Sequence, residues 1–132
     1  MTRSELREQT FKLLFGNAFD VGVEREEQIR RYFECEDEWQ PKEHKLIEAR
    51  CKLIEEKVEE IDAILNERTT GWTTSRMNKV DLAILRLAYY EMKFDESVPT
   101  GVAINEAVEL AKKYSSDEAP AFINGVLAKL VD

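Results

Sequence analysis

Apolar residues recur along this chain at steps of three and four almost from end to end. Three carboxy-terminal blocks show it most clearly: VDLAILRLAYYEM over 80–92, VAINEAVELAKKY over 102–114 and FINGVLAKLV over 122–131. Val80, Ile84, Leu87 and Ala88 line one stripe, Ile104, Ala107, Val108 and Ala111 a second, and Phe122, Ile123, Val126, Leu127 and Leu130 a third. This spacing predicts amphipathic helices, and such stripes are satisfied by packing on one another. Upstream, Leu6, Thr10, Leu13, Leu14 and Ala18 form the inward side of an amino-terminal helix, which the pair Thr2 and Glu5 opens as a capping box. Gly16 interrupts that helix at ~1 kcal/mol relative to Ala. Phe19 reads as core, and Phe15 sits on the same apolar stripe.

The run DVGV over 20–23 reads as a turn, followed by a short helix over 24–35 with Ile29, Tyr32 and Phe33 inward. Pro41 suits the first turn of a long helix reaching about Asn66. Its seam of Ile47, Cys51, Ile54, Val58, Ile61 and Leu65 has coiled-coil spacing and could zip onto a second copy. Leu46, Ala49, Leu53 and Ile64 widen the face, which favours a spine of the domain, with Glu55, Glu56, Glu59, Glu60 and Asp62 solvated. The polar loop RTTGWTTS over 68–75 carries Trp72, read as a lid on the core, and Thr74 or Ser75 is expected to cap a helix beginning near Met77. Arg86, between Leu85 and Leu87, needs a carboxylate, with Glu91, Glu106 and Glu109 as candidates. Pro99 ends one helical region and Pro120 opens the last, in which Gly125 reads as a packing contact. The expected fold is all-α: one domain over 1–132, with six or seven helices in two packed bundles joined through the long helix.

Composition narrows the function classes. At 43% hydrophobic and 35% charged residues the chain is a soluble type able to build one core. No apolar run approaches ~18 residues and charges are scattered through the first twenty, so we expect no membrane span or signal peptide and a cytoplasmic setting. Cys35 and Cys51 with the lone His44 lack the paired spacing of a structural zinc site and read as thiols of a reducing compartment. No base lies at a persuasive spacing from a nucleophile, and the five glycines are isolated, so neither catalysis nor a cofactor is expected. The net charge of -8 argues against a general nucleic-acid binder. From Glu24 to Glu67 fifteen acids face eight Lys and Arg, so any anion site is local, with the amino-terminal helix the first place to look. There Arg3 and Arg7, at i, i+4, share one outer face.

The run ILRLAYYE, followed by P-x-x-V-A-I-N-E-A-V-E-L-A-K-K-Y and then F-I-N-G-V-L, resembles the carboxy-terminal signature of the NusB family of bacterial transcription antitermination factors. Residues 3–19 resemble that family more weakly. In the family a first-helix arginine cluster is implicated in holding single-stranded RNA. Arg3 and Arg7 match it, Lys12 follows on the same helix, and Ser4 and Glu5 stand where the family often has arginine. The resemblance further implies an RNA surface at the joint after Lys112 and Lys113, where Glu118 matches an acidic position and Phe122 offers a ring for base stacking. On the pattern alone Phe122 is the first core residue of its stripe. Trp72, Arg76, Met77, Val80 and Asp81 follow the family order W-x-x-x-R-M, valine, acid, and Phe15, Arg76 and Asp81 are the implied protein-partner residues. Without a partner, Asp81 is also an acid well placed in a helix's first turn.

By that resemblance the chain pairs with NusE, a small-subunit ribosomal protein. The pair would hold a boxA-type single-stranded RNA segment within the RNA polymerase antitermination complex. Two alternatives stay open: a helical interaction module or homodimer without RNA binding, favoured by Ser4 and Glu5, and the RNA-binding part of a ribosomal RNA cytosine methyltransferase if the chain is a fragment.

Overall fold

The computed structural model describes residues 1–19 (backbone alone at 18 and 19), 27, 30, 40–69 and 71–131. Among them lie six helices and no strand: α1 (Arg3–Phe19), α2 (Pro41–Glu56), α3 (Val58–Arg68), α4 (Lys79–Phe94), α5 (Thr100–Tyr114) and α6 (Ala119–Leu130). The helix expected over 24–35 lies outside the described residues, apart from an ion pair of Arg30 with Glu27 at 3.6 Å. The chain divides into two compact units, Met1–Glu55 and Glu56–Asp132.

In the first unit the capping box forms as the sequence predicts. The Thr2 N–H donates to Glu5 Oε1 at 2.8 Å and the Glu5 N–H to Thr2 Oγ1 at 3.0 Å, so each satisfies a backbone donor at the open helix end. These bonds hold the Glu5 carboxyl below its ordinary pKa, the backbone N–H of Thr2 contributing most. Helix α1 runs through Gly16, which is exposed with nothing within 4 Å of an added Cβ. It buries Phe11, Leu13 and Leu14, but also Arg7, Gln9 and Thr10. Gln40 opens α2 through its N–H to Glu43 Oε1 at 2.9 Å, and the Met1 ammonium donates to Glu43 Oε2, also at 2.9 Å.

The long helix departs from expectation in two ways. Lys57, at φ -103° and ψ 1°, separates α2 from α3. Ile47, Cys51 and Ile54 are buried on one side of this break and Ile61 and Leu65 on the other. The apolar face is also narrower than expected along α2, where Leu46 is 55% and Leu53 47% exposed and Ala49 is exposed too, while Ile64 on α3 is half-buried. Residues one step off a seam rotate by about 100° on a helix, enough to leave the packed side. Cys51 donates its thiol to Glu55 Oε1 at 3.4 Å, and Asn17 Nδ2 reaches the sulfur at 3.8 Å. Cys35 lies outside the described residues.

In the second unit α4, α5 and α6 pack mutually, and α3 lies against α4 and α6. Ile84, Leu85, Leu87, Ile123 and Leu127 are fully buried, each contributing about 1.5–3 kcal/mol of burial. The buried stripe of α5 is Ala103, Ala107, Leu110 and Ala111, rotated from the expected one so that Ile104 and Val108 are half-buried. Alanines on that stripe bring the α5 backbone close to its neighbours.

Arg86 finds a different carboxylate from those expected. Its Nε and Nη2 reach Asp62 Oδ1 and Oδ2 at 2.9 and 2.7 Å, a bidentate pair joining α4 to α3. Asp62 therefore leaves the solvated side assigned to it. Gly125 is not a packing contact: it is exposed, with nothing within 4 Å of the place a Cβ would occupy. No helix of the described residues is long and apolar enough to cross a membrane.

Candidate nucleic-acid interface

The start of α4 organises one group of candidate residues. Asn78, not Thr74 or Ser75, is the N-cap, its Oδ1 accepting the Asp81 N–H at 2.8 Å. Asp81 thus sits at the third helical position, where an acid complements the helix dipole. Its side chain is buried, and both oxygens are engaged: Ser115 Oγ donates to Oδ1 at 2.6 Å and Asn78 Nδ2 to Oδ2 at 3.1 Å. Asp81 therefore fastens the beginning of α4 to the end of α5.

Beside it opens a cavity of about 340 Å³ lined by Arg76, Asp81, Glu118, Phe122, Asn78 and Trp72, among others. Four residues singled out in sequence for two different roles thereby meet at one place. Arg76 is exposed, its Nη1 only 3.4 Å from the Gly71 carbonyl. Glu118 precedes α6, exposed and making no side-chain cap. Phe122 is half-buried and meets the Trp72 ring edge-on, with centroids 5.6 Å apart and planes at 63°.

Trp72 is 52% exposed and is a wall of this cavity, not a lid on the core. Sequence reasoning overlooked that role because an isolated loop tryptophan has no periodicity to report its direction. Lys112 and Lys113, at the end of α5, do not line the cavity; Lys112 Nζ pairs with Glu109 at 3.2 Å and Lys113 Nζ lies 5.4 Å from the Tyr114 ring centre.

In the first unit Arg3 is exposed, but Arg7 is only 8% exposed, so the two do not share a solvated face. Helix α1 is buried over a wider arc than its apolar stripe, and Arg7 falls inside that arc. Lys12 is half-buried, 3.9 Å from Glu8 one turn back, and Phe15 stacks on Phe11 at 6.1 Å with planes 20° apart. Among the described residues no group of three or more His, Cys, Asp or Glu side chains could hold a metal ion.

The model of the NusB family matches residues 4–132, nearly the whole chain. The chain belongs to the NusB family. Curated relatives align along the full length on both sides. The chain is 48% identical over 132 residues to the transcription antitermination protein NusB of Lachnoclostridium phytofermentans, covering 100% of both. It is 51% identical over 129 residues to that of Agathobacter rectalis, covering 98% of both. Its fold is similar to T. maritima NusB, with a TM-score of 0.86 at 30% identity, over 98% of this chain and 90% of the other. A NusB crystallised with NusE and double-stranded RNA matches with a TM-score of 0.77 at 25% identity, over 97% of this chain and 96% of that one. Membership accounts for the resemblance carried by the α4 to α6 blocks and extends it through the amino-terminal unit.

Proposed function

We propose that this chain is a transcription antitermination factor that pairs with NusE and holds boxA-type RNA on nascent transcripts, ribosomal ones notably, within the RNA polymerase antitermination complex. The observation that carries this reading is the family match over residues 4–132, which spans both compact units. The factor works in the cytoplasm as an adapter, without catalysis. We assign RNA contact to Arg3, Lys12, Lys112, Lys113, Glu118 and Phe122, and a structural role to Arg7, which is buried on α1. Partner contact goes to Phe15, Arg76 and Asp81, with Asp81 acting chiefly by fixing the surface around it.

The physical logic is cooperative. A protein of net charge -8 with few cationic contacts holds RNA weakly by itself, and a basic partner adds the missing phosphate neutralisation. Glu5, standing where family members often carry arginine, gives up a phosphate contact in exchange for the helix cap it forms with Thr2.

The test is binding of a boxA-type RNA, single-stranded and as a duplex, at two salt concentrations with and without NusE. Tight single-strand binding only in the presence of both proteins, weakening as salt rises, is the expected result. Arg3→Ala should lower affinity and flatten the log–log salt slope by roughly 0.7, one phosphate contact on a single strand. A protein pair that forms but binds no RNA would leave an interaction module in place of the proposed factor.

A further inference from the structure

An exposed tryptophan beside a cavity is an unusual way to use a large ring. Half of the Trp72 surface is open to solvent, although a buried ring would contribute far more to stability. Hydrogen bonds on either side hold the backbone next to the ring. The Thr69 hydroxyl lies 2.6 Å from the Leu65 carbonyl and 2.5 Å from that of Trp72, tying the loop to the end of α3. Gly71, at φ 81°, makes the turn that a side chain would strain, and Asn66 Oδ1 accepts the Thr74 N–H at 2.7 Å on the other side. Phe122 meets the ring edge-on, and about half of the tryptophan stays open to solvent, at 52% exposure. The adjoining cavity of about 340 Å³ has volume for a planar heterocycle, and the exposed Arg76 is part of its lining.

We propose that Trp72 is a base-stacking residue: one unpaired base of the bound RNA lies on its open face in the cavity. This rests on the RNA-holding function proposed above and adds to it a residue and a place in the fold. Stacking on an aromatic face suits single-stranded RNA in particular, because every unpaired base offers a π-face.

The experiment compares wild type, Trp72→Leu and Trp72→Phe for boxA-type single-stranded RNA in the presence of NusE. Loss of one stacked base predicts a fall in affinity of roughly five- to 150-fold for Trp72→Leu, and a smaller fall for Trp72→Phe. The salt slope should stay unchanged, because no phosphate contact is lost. Placing one abasic nucleotide at each RNA position in turn should reveal a single site whose loss weakens wild type but not Trp72→Leu. A misfolded variant would instead weaken at every site. In a Trp39→Phe protein, whose remaining tryptophan is Trp72, the emission should be quenched by the same RNA.

Wild-type affinity in Trp72→Leu would overturn the stacking role and leave the antitermination reading standing. So would unquenched emission from a protein that still binds RNA, or a variant that loses NusE pairing alone. Absence of RNA binding by the wild-type pair would overturn both.

Discussion

Replacing Asp62 by Ala isolates the Arg86–Asp62 pair that fastens α4 to α3. Two hydrogen bonds of 2.9 and 2.7 Å disappear, and a guanidinium whose side chain is only 22% exposed is left without its carboxylate. A fully solvated pair would contribute at most ~1 kcal/mol, and breaking a fully buried one costs about 3–5 kcal/mol. Partial exposure on both sides, 22% and 21%, discounts the buried figure and places the cost at about 2 kcal/mol. With roughly 2.1 cal/mol/K of unfolding entropy per residue and 132 residues, the expected fall in Tm is about 7 °C. Circular dichroism during thermal unfolding measures it. Arg86→Lys should lose part of the same stability, because an ammonium cannot reproduce the two-pronged geometry. Replacing both residues, Asp62→Leu with Arg86→Met, should recover most of the loss, since no charge is then stranded. A Tm change below about 2 °C for Asp62→Ala, or a double variant no better than the single ones, would refute the reasoning.

The other expectations follow from local chemistry. Gly125→Ala should stabilise the chain by ~1 kcal/mol, raising Tm by about 3–4 °C, because the added carbon enters open space in α6; an unchanged or lower Tm in the same scan would show that the position needs glycine. The Glu5 carboxyl is held below its ordinary value by its bonds to Thr2. Its contribution should therefore be complete above about pH 4.5 and fade as pH falls through the depressed folded value. Glu43, lowered first by its bond to the Met1 ammonium and then by the Gln40 N–H, should follow the same sign. Denaturant midpoints of wild type and Glu5→Gln should differ at neutral pH and converge in acid; a constant gap would contradict the capping assignment.

The sequence was most legible where the information is local. The capping box at Thr2 and Glu5 needs residues three apart, and the stripes of α4 and α6 need only helical periodicity, so both could be read without a fold. Family membership was legible for a related reason: an ordered set of short motifs survives in one dimension.

What periodicity leaves undecided is which side of a helix meets a neighbour, and how widely. That is why Leu46 and Leu53 turn outward while Arg7 turns inward. It also leaves undecided which distant residue completes a pair. Asp62, twenty-four residues from Arg86, looked like one more solvated acid until α3 lay beside α4. Asp81 likewise meets Ser115 across thirty-four residues. The same holds for the cavity, where Trp72 and Arg76 from the loop, Asp81 from α4, and Glu118 and Phe122 from the start of α6 converge. Sequence fixes what each side chain can do within its own turn of helix. Only tertiary packing sets which groups share a surface, because that depends on helix directions and on burial that no short window contains.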